Sequence, residues 1–360
     1  MSDLDLAGFQ KLETAGWIVA LTFLFFFLGH VFVFLGVCFV VRAIFLTYKN
    51  RTLPKIDTSG KTVVVTGCDS GFGLGLAQRL HNRGFTVFAT CFSLESNGAK
   101  QLSGVNSERL KVVPVDVTND DSVARCLRVV REQCADKGLW GLVNNAGQNF
   151  VGDCELTTMT QYLEIANVNL FGMVRMCKAF LPLLRQAKGR VINVTSVKGL
   201  FAIPANAAYT ISKFGGEAFS DTLRQEMTQY GVTVCIVEPG NFGGTTGCLN
   251  EAGIKTLKRF FDEQWEEASE EVKEFYGRAH LQQELDDAKT SALTGCTTIN
   301  PVLDAFEDAL RNQSPKYRYL VDGSKSYIDV YNWLARLRPY LPSRIFNRLR
   351  AYFFSYSVYK

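Results

Sequence analysis

From Lys61 onward, short apolar runs alternate with longer amphipathic stretches, and this alternation limits the fold more than any other feature of the chain. Lys61–Thr66 (KTVVVT) is β-branched and fully apolar at its centre, as a strand covered on both faces must be. Gly71–Arg83 reads as a helix, Gly84 ends it, and Phe85–Cys91 reads as a second strand. Leu110–Val115 is a third strand, and Asn119 caps a helix running to about Ala135. Leu139–Asn144, Arg190–Thr195 and Val232–Val237 complete a set of six strands. Strands and helices in this order form crossover units, so the predicted fold class is α/β, a doubly wound parallel sheet with helices on both faces.

The N-terminal part has a different character. From Ala15 to Val41 there are 27 residues without Asp, Glu, Lys or Arg. A bilayer core takes about 20 apolar residues in a helix, whereas the apolar part of a cleaved signal is about 7–15 residues long after a basic start. Here Asp3, Asp5 and Glu13 precede the run against Lys11 alone, so a transmembrane anchor is expected at residues 15–41, after a polar N-terminus at 1–14. Arg42, Lys49, Arg51 and Lys55 follow it in a linker at 42–59, which by the positive-inside tendency leaves the downstream domain in the cytosol. On that side the sequon at Asn50 is idle. The net charge is only +4, from 39 Lys+Arg and 35 Asp+Glu, which argues against a nucleic-acid binder. Ten cysteines occur singly, with no CxxC pair, and are expected to be reduced. With three histidines, one of them inside the apolar run, neither a His-rich metal site nor a Ser-His-Asp triad is expected.

Four clusters carry chemistry. Thr66-Gly67-Cys68-Asp69-Ser70-Gly71-Phe72-Gly73 follows the first strand and opens a helix, the context in which glycines let a pyrophosphate approach a helix N-terminus. Asp116 and Val117 end the third strand, and Asn144-Asn145-Ala146-Gly147 end the fourth, facing the crevice beyond the strand ends. Tyr209 and Lys213 stand at i and i+4, on one face of a helix. Ser196 precedes Tyr209 by 13 residues, at the end of the fifth strand. Taken singly, each cluster is compatible with an ordinary turn, strand-end cap or surface pair.

Together, TGCDSGFG, DVT, NNAG, Asn169, Ser196, Tyr209-xxx-Lys213 and Glu238-Pro239-Gly240 occur in order over residues 60–322, and this set resembles the short-chain dehydrogenase/reductase superfamily. CDSGFG, GLWGLVNNAG at 138–147 and Glu217-Ala218-Phe219-Ser220-Asp221 resemble its branch of retinol dehydrogenases, hydroxysteroid dehydrogenases and mitochondrial-type 3-hydroxybutyrate dehydrogenase. The resemblance implies a Rossmann-type catalytic domain at 60–322 that moves a hydride between an alcohol and a nicotinamide. It implies catalytic roles for Asn169, Ser196, Tyr209 and Lys213. Contacts with the cofactor are implied for Gly67, Ser70, Gly71, Phe72, Gly73, Asp116, Val117, Asn145, Ala146, Gly147, Tyr209, Lys213, Pro239 and Gly240. No metal is implied. Tyr209 is the expected acid/base, since a free phenol ionises near pH ~10 and a neighbouring ammonium favours its anion. Ser196 is expected to orient the substrate oxygen, and Asn169 to hold a water in a proton relay. The family's Thr five residues after Pro239 is Gly244 here, and Thr246 is the replacement chosen.

A 2′-phosphate needs a cation, and neither Ser70 nor Phe88–Ala99 offers one, so NAD is expected over NADP, with Asp69 adding repulsion. Residues 247–298 form an insertion whose Phe260, Phe261, Trp265, Phe275 and Tyr276 have roughly helical spacing, as a substrate lid or as core packing. The basic, aromatic tail at 323–360 suits either a membrane surface or a docked terminal helix. These features favour a lipophilic alcohol, a retinoid or hydroxysteroid, interconverted with its carbonyl at the endoplasmic reticulum membrane, with a mitochondrial membrane as the alternative. The competing substrate is 3-hydroxybutyrate, whose carboxylate would meet Lys198; otherwise Lys198 is a solvated loop lysine, the commoner fate of such a residue. A catalytically silent NAD-binding scaffold is the third possibility. Relatives pair through the helix carrying Tyr209, which implies a homodimer or homotetramer.

Overall fold

The computed structural model describes residues 22–42, 45, 55–246, 251–325 and 328–353. The chain divides into two units, Met1–Lys55 and Ile56–Lys360. In the first, helix α1 (Thr22–Arg42) has 21 residues, which at about 1.5 Å each gives the ~30 Å of a bilayer core. Its phenylalanines, Phe23, Phe25, Phe26, Phe27 and Phe32 among them, are all exposed. Length and composition allow it to cross a membrane. The start of the expected anchor, residues 15–21, lies outside the described residues, as do Lys49, Arg51 and the sequon at Asn50.

The second unit is built on seven parallel strands: β1 (Thr62–Val65), β2 (Thr86–Cys91), β3 (Leu110–Pro114), β4 (Gly141–Asn144), β5 (Arg190–Val194), β6 (Thr233–Pro239) and β7 (Arg318–Val321). They lie in the order β3-β2-β1-β4-β5-β6-β7. The alternation of side chains along each strand splits the core into two layers. Val63 and Val65 face one side, with Leu76 and Leu80 of α2 (Gly71–Asn82), Leu102 of α3 (Asn97–Ser103) and Phe306 of the later helix Asn300–Arg311. Val64 faces the other, with Val123 and Val130 of α4 (Asp120–Cys134). Two helices beyond α5 (Met159–Ala166) complete that layer: α6 (Gly172–Ala187) brings Phe180, and α7 (Ala207–Thr228) brings Leu223. The doubly wound sheet expected from the alternation is present. Its seventh strand, β7, and the short α3 were not among the predicted elements.

The insertion folds into α8 (Glu251–Glu267), α9 (Glu270–Tyr276) and α10 (Arg278–Thr294), and α11 (Asn300–Arg311) follows it. Phe260, Phe261, Leu281 and Leu285 form a separate apolar cluster with Phe150 and Ile165. The described part of the tail forms α12 (Val330–Leu337) and α13 (Ser343–Phe353), and it docks. Leu334, Ala335 and Phe346 are buried against Val197 and Phe201, and Arg350 donates to the Ala202 carbonyl at 2.8 Å. Phe354–Lys360 lie outside the described residues.

β7 joins two motifs that the sequence leaves separate. Arg318 bonds Glu217 and Asp221 of α7 and Glu238 of β6, the Asp221 and Glu238 contacts both at 2.6 Å. Burial, with Glu217 adding to it, pushes the Glu238 carboxyl up to about 7 against the pull of Arg318.

Candidate active site

The helices that follow the adjacent strands β1 and β4 pack on opposite faces of the sheet, which opens a crevice at the strand ends. Into it run the segments after β1, β4, β5 and β6. Together they wall a cavity of about 730 Å³ that extends from Gly67 to Tyr209. That volume is within the range of small-molecule sites, about 300–1,000 Å³.

The glycine turn is fixed from behind. Gly67 has φ +71°, and a Cβ there would lie 2.8 Å from the Ala146 Cα. Only glycine combines that backbone with that approach. Thr66 Oγ1 accepts the N–H groups of Asn145 and Ala146, both at 2.9 Å, and Asn145 Nδ2 donates to the Thr66 carbonyl at 2.8 Å. The two asparagines of NNAG therefore divide their work. Asn145 clamps the turn, whereas Asn144 is directed away and donates to Asn193 Oδ1 at 2.8 Å. Helix α2 then starts at Gly71 with no side-chain cap from Ser70 and no acid in its first turn. Its first N–H groups and its positive end are open to an anion, so this end of the cavity fits a pyrophosphate.

Of the expected cofactor contacts, Gly67, Ser70, Gly71, Phe72, Asp116, Val117, Asn145, Ala146, Gly147, Pro239, Gly240 and Thr246 line the cavity. Gly73 does not. It packs behind the turn, where a Cβ would lie 2.2 Å from the Gly67 carbonyl oxygen. Asp116 keeps its carboxylate for its own loop, accepting from the Thr118 N–H at 2.8 Å and the Thr118 hydroxyl at 2.7 Å.

Tyr209 and Lys213 rise from the first two turns of α7, with the Lys213 Nζ 5.4 Å from the Tyr209 ring centre. Lys213 is 5% exposed and donates to the Val194 carbonyl at 3.1 Å. Ser196 shares the wall, its Oγ 3.4 Å from the Pro239 carbonyl and accepting the Lys198 N–H at 3.2 Å. Asn169 stands behind the wall, in a π-turn over Asn167–Phe171 between α5 and α6. It accepts the Gln148 N–H at 2.7 Å and donates to the Gln148 carbonyl at 2.9 Å and to Ser212 Oγ at 3.1 Å. A π-turn loosens the helix ladder and is frequent at functional sites.

Three features were missed or misjudged in the sequence. Asp69 crosses to the end of β2, where its carboxylate accepts the N–H groups of Phe92 at 2.9 Å and Ser93 at 3.1 Å. No residue of β2 itself signals this. Lys198 is half-buried on the wall rather than solvated, with its Nζ 2.6 Å from Asn206 Oδ1 and 5.6 Å from the Tyr209 ring centre. Among the insertion's described residues, the wall receives Gly253, Thr256 and Ser291, all small. Phe260 and Phe261 turn inward to their own cluster, Phe260 meeting Phe150 with ring centres 5.2 Å apart, and Phe275 is exposed. The nine described cysteines are free thiols. Burial pushes the thiols of Cys91 and Cys177 up to about 12, and the charge of Asp69 adds to the effect at Cys91.

Residues 61–255 match the short chain dehydrogenase family. The chain is 41% identical over 321 residues to D-beta-hydroxybutyrate dehydrogenase, mitochondrial, of Bos taurus, covering 87% of this chain and 91% of that protein. It is 42% identical to 17-beta-hydroxysteroid dehydrogenase type 6 and 41% identical to retinol dehydrogenase 16, both of Homo sapiens. Each of these matches covers 72% of this chain and 80% of the relative. The fold is shared with a short chain dehydrogenase from Burkholderia cenocepacia J2315 solved in complex with NADP, at a TM-score of 0.59, 23% identity, and coverage of 82% of this chain and 99% of that one. This chain belongs to the short-chain dehydrogenases, oxidoreductases that act on CH–OH groups with a nicotinamide dinucleotide.

Proposed function

We propose that the chain is a membrane-anchored, NAD-dependent dehydrogenase of a small 3-hydroxy acid of the 3-hydroxybutyrate class. The observation that carries this reading is Lys198, a cation on the cavity wall two residues from Ser196 and beside the Tyr209 ring. A hydroxy acid brings a carboxylate to that ammonium in addition to its bond with Asn206 Oδ1, whereas a retinoid or steroid brings no anion to it. The longer reach of the match to D-beta-hydroxybutyrate dehydrogenase agrees with this reading. A lipophilic alcohol remains the second reading, favoured by the exposed apolar helix α1, which would hold the domain beside a lipid phase.

A bound nicotinamide supplies the hydride acceptor. Tyr209 exchanges a proton with the substrate oxygen, and Lys213 favours its phenolate by charge. Ser196 turns its hydroxyl from Pro239 to the substrate oxygen and fixes its position. Asn169, through Gln148 and Ser212, keeps the wall beside Lys213 in place. Asp69, at the end of β2, would face the adenosine ribose of a bound dinucleotide, and its charge would oppose a 2′-phosphate there.

The test is NADH formation by the full chain in detergent, with D-3-hydroxybutyrate, retinol and hydroxysteroids offered in parallel. Turnover of the hydroxy acid, with KM raised in Lys198→Met and kcat largely kept, supports the reading. Turnover of retinol or a steroid alone transfers the assignment to the second reading.

A further inference from the structure

Away from the cavity, three side chains from two parts of the fold converge. Asp153 comes from the loop after β4, and His280 and Glu284 stand one turn apart on α10. Their ligating atoms all lie within 4.8 Å of one another. His280 Nε2 is 2.5 Å from Asp153 Oδ2 and 3.9 Å from Glu284 Oε1. Glu284 is the unusual member. Its side chain is 3% exposed, and neither carboxylate oxygen has a hydrogen-bond partner. The other charges that act on it, from Asp153 and Asp287, are negative. A buried carboxylate with no partner is costly. A divalent cation among the three would balance the charge of both carboxylates.

We propose that Asp153, His280 and Glu284 bind one divalent cation of the zinc class. One imidazole nitrogen and two carboxylates form a neutral set with such an ion, and three protein ligands leave a fourth position for water. Ligands at about 2.0–2.2 Å on a tetrahedron are roughly 3.3–3.6 Å apart, so His280 and Asp153 separate by about 1 Å on binding. Asp153 and His280 are 24% and 15% exposed, which leaves the ion a route in from solvent. The neighbouring Gly152 donates to the Ala205 carbonyl at 2.8 Å and bridges to Asn206, just before α7. The ion therefore ties α10 to the loop that borders the helix of Tyr209, whichever alcohol is oxidised.

The experiment uses the full chain in detergent, stripped with chelator and dialysed against Zn²⁺ or Co²⁺. One equivalent per chain by elemental mass spectrometry is expected, with visible Co²⁺ bands of a low-coordinate nitrogen–oxygen site and a raised Tm. Glu284→Gln keeps the shape and removes a ligand, and His280→Ala removes another. Both should weaken binding by at least the roughly 10–100-fold that loss of an outer partner costs, while NAD still binds. Three results overturn the proposal: no stoichiometric ion on the wild type, equal loading of both folded variants, or a Co²⁺ spectrum dominated by thiolate charge transfer. Should the variants not fold, the wild-type stoichiometry and Co²⁺ spectrum decide alone.

Discussion

Lys213 holds its ammonium almost wholly inside the protein, with the Val194 carbonyl on one side and the Tyr209 ring nearby. Among groups without a fixed task such a position is costly, and in the proposed mechanism its effect falls on the Tyr209 hydroxyl. Tyr209→Phe is expected to lower turnover by about 100- to 10,000-fold, the usual worth of a positioned acid/base. NAD binding, read by fluorescence titration, should remain. Turnover at the wild-type rate would remove Tyr209 from the mechanism. Asp69 gives a second prediction. Asp69→Asn keeps one acceptor oxygen where Phe92 and Ser93 now bond one carboxylate oxygen each, and it removes the charge, so the proposed preference for NAD over NADP should shrink by roughly tenfold or more, measured as the ratio of kcat/KM values. An unchanged ratio places the discrimination elsewhere. The spacing of Tyr209 and Lys213 was legible because a helix puts i and i+4 on one face. The reach of Asp69 was not, because it depends on two strands lying side by side, and no local pattern encodes a contact across 23 residues.

Among the elements, β1, β2, β5 and β6 could be read directly because each is a short apolar run buried on both faces. β7 has only Arg-Tyr-Leu-Val, too short and too polar at its start to stand out from a loop. Its Arg318 is nonetheless what Glu217, Asp221 and Glu238 gather around. The Glu238 carboxyl titrates at about 7 in the folded chain, above its ordinary 4.5, so the folded state holds this proton more tightly than the unfolded one. Its stabilising contribution is complete below pH ~4.5 and is lost as pH rises through about 7. Thermal melts between pH 5 and 8 should show this decline in the wild type and a smaller one in Glu238→Gln. Parallel declines in both would remove Glu238 as the cause. The insertion's helical spacing was legible, but the direction its aromatic face takes was not, since packing onto Phe150 and lining a pocket need the same residues. Phe260→Ala should cost about 3–5 kcal/mol in denaturant unfolding, the usual loss for a buried phenylalanine. A negligible loss would contradict the inward packing.

For the molecule as a whole, α1 belongs to one unit and the dinucleotide-binding sheet to another, and their sequences differ in character. Deleting residues 1–42 should release the protein from the membrane pellet after alkaline carbonate treatment while NAD binding is kept. A truncated chain that still pellets would mean that another surface holds the lipid. The tail belongs to the catalytic unit. Tyr331 lines the cavity, its ring stacks at 6.5 Å on Phe201, and Phe346 closes against Val197, the residue after Ser196. That contact has a consequence for synthesis on the ribosome. At about 5–20 residues per second, the roughly 150 residues between Ser196 and Phe346 take on the order of 8–30 s to emerge. Within that interval β6 and β7 emerge to finish the sheet, yet the floor beneath Ser196 lacks its last layer. The nascent enzyme thus matures from its sheet outward, and this floor closes only once Phe346 has emerged.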